Sequence, residues 1–328
     1  MVMMCSTPIS PKISFDVLKD HALQDVSRYT KNTQRGLNRI QQWYDDPGNY
    51  EFKALNGLEA VSRNLPFVRI VKSGASDNFQ ISTAAFDFVA DYVSNLTALD
   101  ASRKGSVGMY PTGFAIIDNL AAGRMNNAQT LRDQSVQLLN NRDYSEQQSY
   151  AEDKERMRDP ENCVWIIPQR IFVFAHELMG QREGQAKQPW DHWDVIGDDD
   201  YIAAARAVYT KDIGEAAQVV CKLCNLHVEY SNPFPEGDND DHLVGIEFDT
   251  PVRTLWPTEI FAWLCLRHER GLPLPVVDHP LLSQPLGQFD PAAKPVADHE
   301  PWFTELVNKL ATFQPRYASL PEMVFGNH

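Results

Sequence analysis

Cys221, Cys224 and His227 are the residues whose types and spacing come nearest to a metal-binding set. Thiolates and imidazoles are zinc ligands, but a tetrahedral site needs a fourth donor. The three fall in an apolar run of helical period, where positions i, i+3 and i+6 sweep around about 300°. A regular helix therefore does not aim them at one ion, and two buried cysteines beside a surface histidine are expected. His176-Glu177 and His268-Glu269 are halves of a zinc-hydrolase motif, and neither has the second histidine four residues on. Both are expected at helix C-termini, where an imidazolium meets the negative end of the dipole. The sequence also lacks a G-x-S-x-G elbow, a phosphate-binding glycine loop and a dinucleotide fingerprint. No catalytic residue, metal ligand set or cofactor is assigned, and the expectation is a protein that is not an enzyme.

The other concentration of chemistry is acidic. The chain carries a formal net charge of −14, and residues 185–250 alone hold 14 acidic against 4 basic side chains. Such a surface repels nucleic-acid phosphates and anionic lipid and attracts a basic protein. Two stretches supply most of it. Asp198-Asp199-Asp200 opens a helical run, where negative charge also suits the helix dipole. Glu236-Gly237-Asp238-Asn239-Asp240-Asp241-His242 is a loop without the ligand order or closing glutamate of an EF-hand. It reads either as a solvated loop or as a surface for a partner. Trp190 and Trp193, set among Asp191 and Asp194, either anchor a partner or fold their loop onto the core. The candidate partner-binding set is Trp190, Trp193, Asp198, Asp199, Asp200, Glu236, Asp238, Asp240 and Asp241.

Helices must position these residues. With 43% hydrophobic and 23% charged residues the composition is globular, and the dominant apolar period is three to four. Residues 1–12 read as a loose tail without a secretory signal. Residues 13–141 form an N-terminal helical half, with helices from Ser14 to Tyr44, Phe52 to Lys72 (interrupted or kinked at Pro66), Ser82 to Leu99, Thr112 to Arg124 and Ala128 to Leu139. Residues 142–162 are a polar linker or exposed helix. Residues 163–328 form a C-terminal half with a core helix from Val164 to Leu178. It continues with a helical stretch from Tyr201 to Leu226 that breaks at Gly214, a short strand at Leu243 to Phe248 and a helix from Pro257 to Arg270. A proline-rich extended wrap and a final helix from Trp302 to Phe313 complete it. The fold expected is all-α, two packed helical halves with room for one short strand pair. Five cysteines form no disulfide framework and are expected as free thiols of a reducing compartment.

One stretch carries a likeness. Pro257-x-Glu259, Arg267, Gly271-Leu272-Pro273-x-Pro275, Asp278-His279-Pro280-Leu281-Leu282 and Pro285-Leu286 resemble the C-terminal region of helical immunity proteins of bacterial type VI secretion and polymorphic toxin systems. The likeness covers about a tenth of the chain and rests on turn and packing residues. It implies a cytoplasmic inhibitor that occludes the active site of a cognate toxin with a basic surface. Two other functions remain open: a metal-dependent hydrolase drawing His and Asp from residues 176–250, and a scaffold or adaptor of a secretion apparatus.

Overall fold

A helix apolar around its whole circumference belongs inside a protein, and the run Thr112-Gly-Phe-Ala-Ile-Ile-Asp-Asn-Leu-Ala121 is buried at every position. The computed structural model describes residues 3–4, 24, 26–48, 51–73, 79–100, 108–141, 169–185, 195, 197–231, 247–248, 251–288, 290 and 300–326. In it the N-terminal helices are α1 (Val26–Asp45), α2 (Phe52–Ser73), α3 (Phe79–Ala98), α4 (Met109–Ala121) and α5 (Met125–Asn140). The later ones are α6 (Arg170–Glu183), α7 (Asp199–Arg206), α8 (Ile213–Glu229), α9 (Pro251–Leu255), α10 (Thr258–Glu269), α11 (Pro280–Ser283), α12 (Pro301–Phe313) and α13 (Leu320–Phe325). The protein is all-α.

Helix α4 is the axis, with α3, α5, α6 and α10 packed against it. The approach of α6 is close enough that a Cβ on Gly113 would stand 2.7 Å from the backbone of Phe172, so only glycine fits there. Helices α1 and α2 cross in the same way through Gly36 and Gly57, each facing the other's carbonyl. One apolar core runs from Ile40 to Val324 and takes in residues of both halves.

Several sequence expectations change on contact with the structure. Helix α2 runs on through Pro66. The break expected at Gly214 lies earlier, at residues 207–212, because the Asp212 side chain caps the amides of Gly214 and Glu215 and so starts α8 anew. The proline-rich passage is not simply extended: it contains β2 (Val277–Asp278), α11 and a 3-10 turn at Pro285–Gly287. Beyond α12 the chain adds α13, whose Leu320 and Val324 enter the core. The strand pair joins Met3–Met4 (β1) to β2 in parallel, Met3 opposite Val277 and Met4 opposite Asp278. The tail is therefore held at these two residues, and Glu247 and Phe248 belong to no strand. The linker at 142–162 and the start of the helix expected from Ser14 lie outside the described residues.

Helix α10 fills the contact between α4 and α8. Trp263 is fully buried, and its indole N–H donates to Ala204 O at 2.8 Å. Trp263→Ala is expected to cost roughly 3–5 kcal/mol in urea unfolding. A loss under about 1 kcal/mol would place the indole at the surface.

Candidate functional site

Arg170 is the first residue of α6, where a cation opposes the helix dipole. It stays because acidic groups from two later segments come to it. Its Nε lies 3.5 Å from Asp198 Oδ2, and Nη1 lies 3.9 Å from Glu247 Oε2. The guanidinium sits 4.0 Å from the centre of the Tyr230 ring. The Tyr230 hydroxyl donates to Asp198 Oδ2 at 3.0 Å, and the amide of Ile171 donates to Glu247 Oε1 at 3.2 Å. The amides of Glu247 and Phe248 both donate to Tyr230 O, at 3.0 and 3.1 Å. The chain leaving at Ser231 therefore returns to the same point at Glu247. Tyr110, from α4, donates its hydroxyl to Glu247 O at 3.0 Å and ties the junction to the axis helix.

This junction joins what is separate in sequence. Asp198, the N-cap of α7, is rooted beside Tyr230 and Glu247, which bound the segment containing Glu236, Asp238, Asp240 and Asp241. Asp198 is turned inward as cap and ion-pair partner, whereas Asp199 and Asp200 are exposed. Asp200 holds Lys222 of α8, an exposed pair of little energetic weight. Trp190, Trp193, Glu236, Asp238, Asp240 and Asp241 lie outside the described residues. Sequence reading missed Arg170, Tyr230 and Glu247. No local signal marked Arg170, because the helix expected from Val164 put it in mid-helix, whereas it opens the helix, a place that is unfavourable unless carboxylates compensate it.

The other groups that looked reactive are closed on themselves. His227 is not at the surface but fully buried: Nδ1 meets Glu259 Oε1 at 2.7 Å and Nε2 meets Thr254 O at 3.0 Å. His176 is not at a helix end. It lies within α6, between Phe172 O and Ser135 Oγ, both at 2.9 Å, and burial pushes its pKa down to about 3. Its ring is a neutral core group rather than a cation for the dipole. Cys224 and Cys265 are free thiols, but Cys221 is disulfide-bonded, with its other half outside the described residues, so the expectation of free thiols throughout fails there.

Arg253 lies between two carboxylates: Nη1 donates to Asp118 Oδ1 at 2.8 Å and Nη2 to Asp87 Oδ2 at 2.7 Å. Thr258 also donates to Asp118, at 2.7 Å, and Ser62 to Asp87. Burial pushes Asp118 up to about 7 against the downward pull of Arg253. Among the described residues no group of three or more His, Cys, Asp or Glu is arranged to hold a metal ion. No described helix is long and apolar enough to cross a membrane.

Comparison of the chain with family models, curated proteins and solved structures finds no match. The stretch that suggested a resemblance has structural work in this fold. Glu259 pairs with His227, and Arg267 donates to Val208 O and Thr210 O at 2.8 Å and to Pro273 O at 3.0 Å. His279 caps α11 by accepting from the Leu281 amide at 3.1 Å.

Two outcomes follow for the junction and for His279. Arg170→Met leaves Asp198 and Glu247 without their cation and should cost about 2–4 kcal/mol. Unchanged denaturant midpoints would show the junction to be incidental. His279 is held down to about 4, first by burial and then by His227. A lowered folded-state pKa means that its contribution is present above the unfolded value of about 6.5 and is lost as pH falls towards 4. His279→Asn keeps a capping acceptor that does not titrate. It should therefore remove part of the stability lost between those values, read as denaturant midpoints across pH, and a pH profile identical to the parent's would contradict this.

Proposed function

We propose that the protein is an inhibitor that binds a cognate secreted bacterial toxin through an acidic surface and occludes its active site. The observation that carries this reading is the concentration of 14 acidic against 4 basic side chains in residues 185–250. Its support from geometry is that the two acidic stretches are rooted at one junction, Arg170 with Asp198, Tyr230 and Glu247. A basic active-site surface, such as that of an enzyme acting on nucleic acid, is the complement of such a face. Opposite charge of this kind accelerates encounter by orders of magnitude. The inward pairing of His227, His176, Asp87 and Asp118 supports a binding role, because these groups are engaged within the frame. The metal-dependent hydrolase loses ground for the same reason and because no ligand cluster is found among the described residues. The compartment proposed for such an inhibitor is the cytoplasm, while the Cys221 disulfide argues for contact with an oxidant.

The test needs a cognate toxin, to be sought among the products of neighbouring genes. Asp238, Asp240 and Asp241 changed together to Asn should slow association and flatten its dependence on salt, while the fold stays intact. A carboxylate desolvated in the complex should also raise the off-rate, at a cost of about 2–5 kcal/mol in affinity. Asp199→Asn is the companion variant, since it leaves the Asp198 cap in place. Stopped-flow rates equal to the parent's at two salt concentrations, for both variants, would remove the acidic region from recognition. Absence of any complex with the toxin would remove the function.

A further inference from the structure

Arg253 serves two carboxylates with one positive charge. Asp118 Oδ1 accepts from Arg253 Nη1 at 2.8 Å and from the Thr258 hydroxyl at 2.7 Å. Asp87 accepts from Arg253 Nη2 at 2.7 Å and from the Ser62 hydroxyl. Asp118 is fully buried, and the side chains of Arg253 and Asp87 are nearly so. Two neighbouring carboxyls in such a place favour keeping one proton between them. Charges on the surrounding elements are engaged elsewhere. Asp91 of α3 accepts from Thr112, and Glu259 of α10 meets His227. Arg132 of α5 pairs with Glu183, and Arg124 before it donates to the carbonyls of Met323 and Val324. On α6, Arg170 is held by Asp198 and Glu247, and Glu177 by Arg206. Tyr110 of α4 acts on Arg253 itself.

Helix α9, which carries Arg253, is five residues long and fastens three other segments. The Thr254 hydroxyl donates to Phe248 O at 3.0 Å, Thr254 O meets His227 Nε2 at 3.0 Å, and Leu255 O accepts from Gln284. Phe248 in turn donates to Tyr230 O, where the chain returns to the Arg170 junction. We propose that Asp87, Asp118 and Arg253 form a proton-operated joint that fastens α9, and through it the returning chain at Phe248, to α3 and α4. With one proton on the carboxyl pair the three side chains are neutral together and the joint is closed. Loss of that proton to solvent leaves one buried negative charge in excess, and opening of α9 lets water reach it. Burial pushes Asp118 up to about 7, Arg253 pulls it down and Asp87 pushes it up. A value raised above the unfolded one of about 3.9 means that the closed joint binds the proton more tightly than the open one. Its stabilisation is therefore complete below about pH 3.9 and is lost as pH rises through about 7.

The joint needs no toxin, so its test is separate from that of the inhibitor. Hydrogen exchange of the full chain, corrected for the intrinsic pH dependence of amide exchange, reads the opening of residues 254–261. Opening should be about tenfold greater at about pH 8 than at about pH 6. Asp118→Asn keeps an oxygen for Thr258 and does not ionise, so its corrected exchange should be equal at the two pH values. His279 acts in the opposite sense, since its contribution fades as pH falls, and so does not produce a rise. Equal corrected exchange in the parent, or the parent's full rise retained in Asp118→Asn, overturns the joint. Parent protein labelled with 13C at its aspartate carboxyls gives a second reading that needs no variant. One carboxyl titrating between about pH 6 and 8 is expected, and titration of every aspartate below about pH 5 overturns the proposal.

Discussion

Arg253 stands between Asp87 of α3 and Asp118 of α4, with its guanidinium 4.2 Å from the centre of the Phe114 ring. Removing two carboxylates from water is costly, and only a shared cation with good hydrogen bonds makes the arrangement tolerable. Burial of α4 brings Asp118 into the core, burial of Asp118 requires Arg253, and Arg253 fixes where α9 and then α10 begin. Thr258, at the start of α10, completes the cluster by donating to the same carboxylate. The axis helix and the C-terminal half are therefore joined through one charge as well as through apolar contact. That charge is approached from one side by the segment returning at Glu247 and Phe248, whose ring meets Phe114 edge-on.

The same economy explains why the chain's polar groups divide so sharply. Several of those inside are matched within the frame: Glu259 with His227, Ser135 with His176, and Glu51 with Thr97, Tyr317 and Arg316. Among the described residues Arg267 has no carboxylate as an ion-pair partner, and it is satisfied by carbonyls after α7 and after α10. An arginine fork suits such a place because its donors are fixed in one plane. Charge able to meet another molecule is left to exposed positions such as Asp199, and half of the acidic side chains of 185–250 lie outside the described residues.

How much of this was legible in the sequence differs by the kind of signal. Helices α3, α5, α10 and α12 could be placed to within a few residues because apolar residues recur at helical spacing and glycine or proline marks their ends, with Gly271 at φ 66° after α10. Their order in space was not legible. Nothing in the run around Gly113 announces that Phe172 will lie against it, since the partner is remote in sequence. His176 and His227 were misplaced for a related reason. A histidine on a helix looks like a surface group until the residues that take up its two nitrogens are known, and these are distant: Ser135 for one, Glu259 and Thr254 for the other. The acidic candidates were found by counting. The Arg170 junction, which holds Asp198 alone of them, needed coordinates, because its members are an arginine, a tyrosine and two acids from separate segments.

The position of α4 also has a consequence in time. Its last residue, Ala121, precedes Thr258 by well over a hundred residues, yet α10 is one of the surfaces that cover it. During synthesis at about 5–20 residues per second, roughly 7–30 s pass between the appearance of the two helices. Over that interval a helix meant for the interior has α3, α5 and, once made, α6 to shield it, but not α10. The nascent chain thus presents an apolar face that its own later half must close, and a chaperone that recognises such faces has its window there.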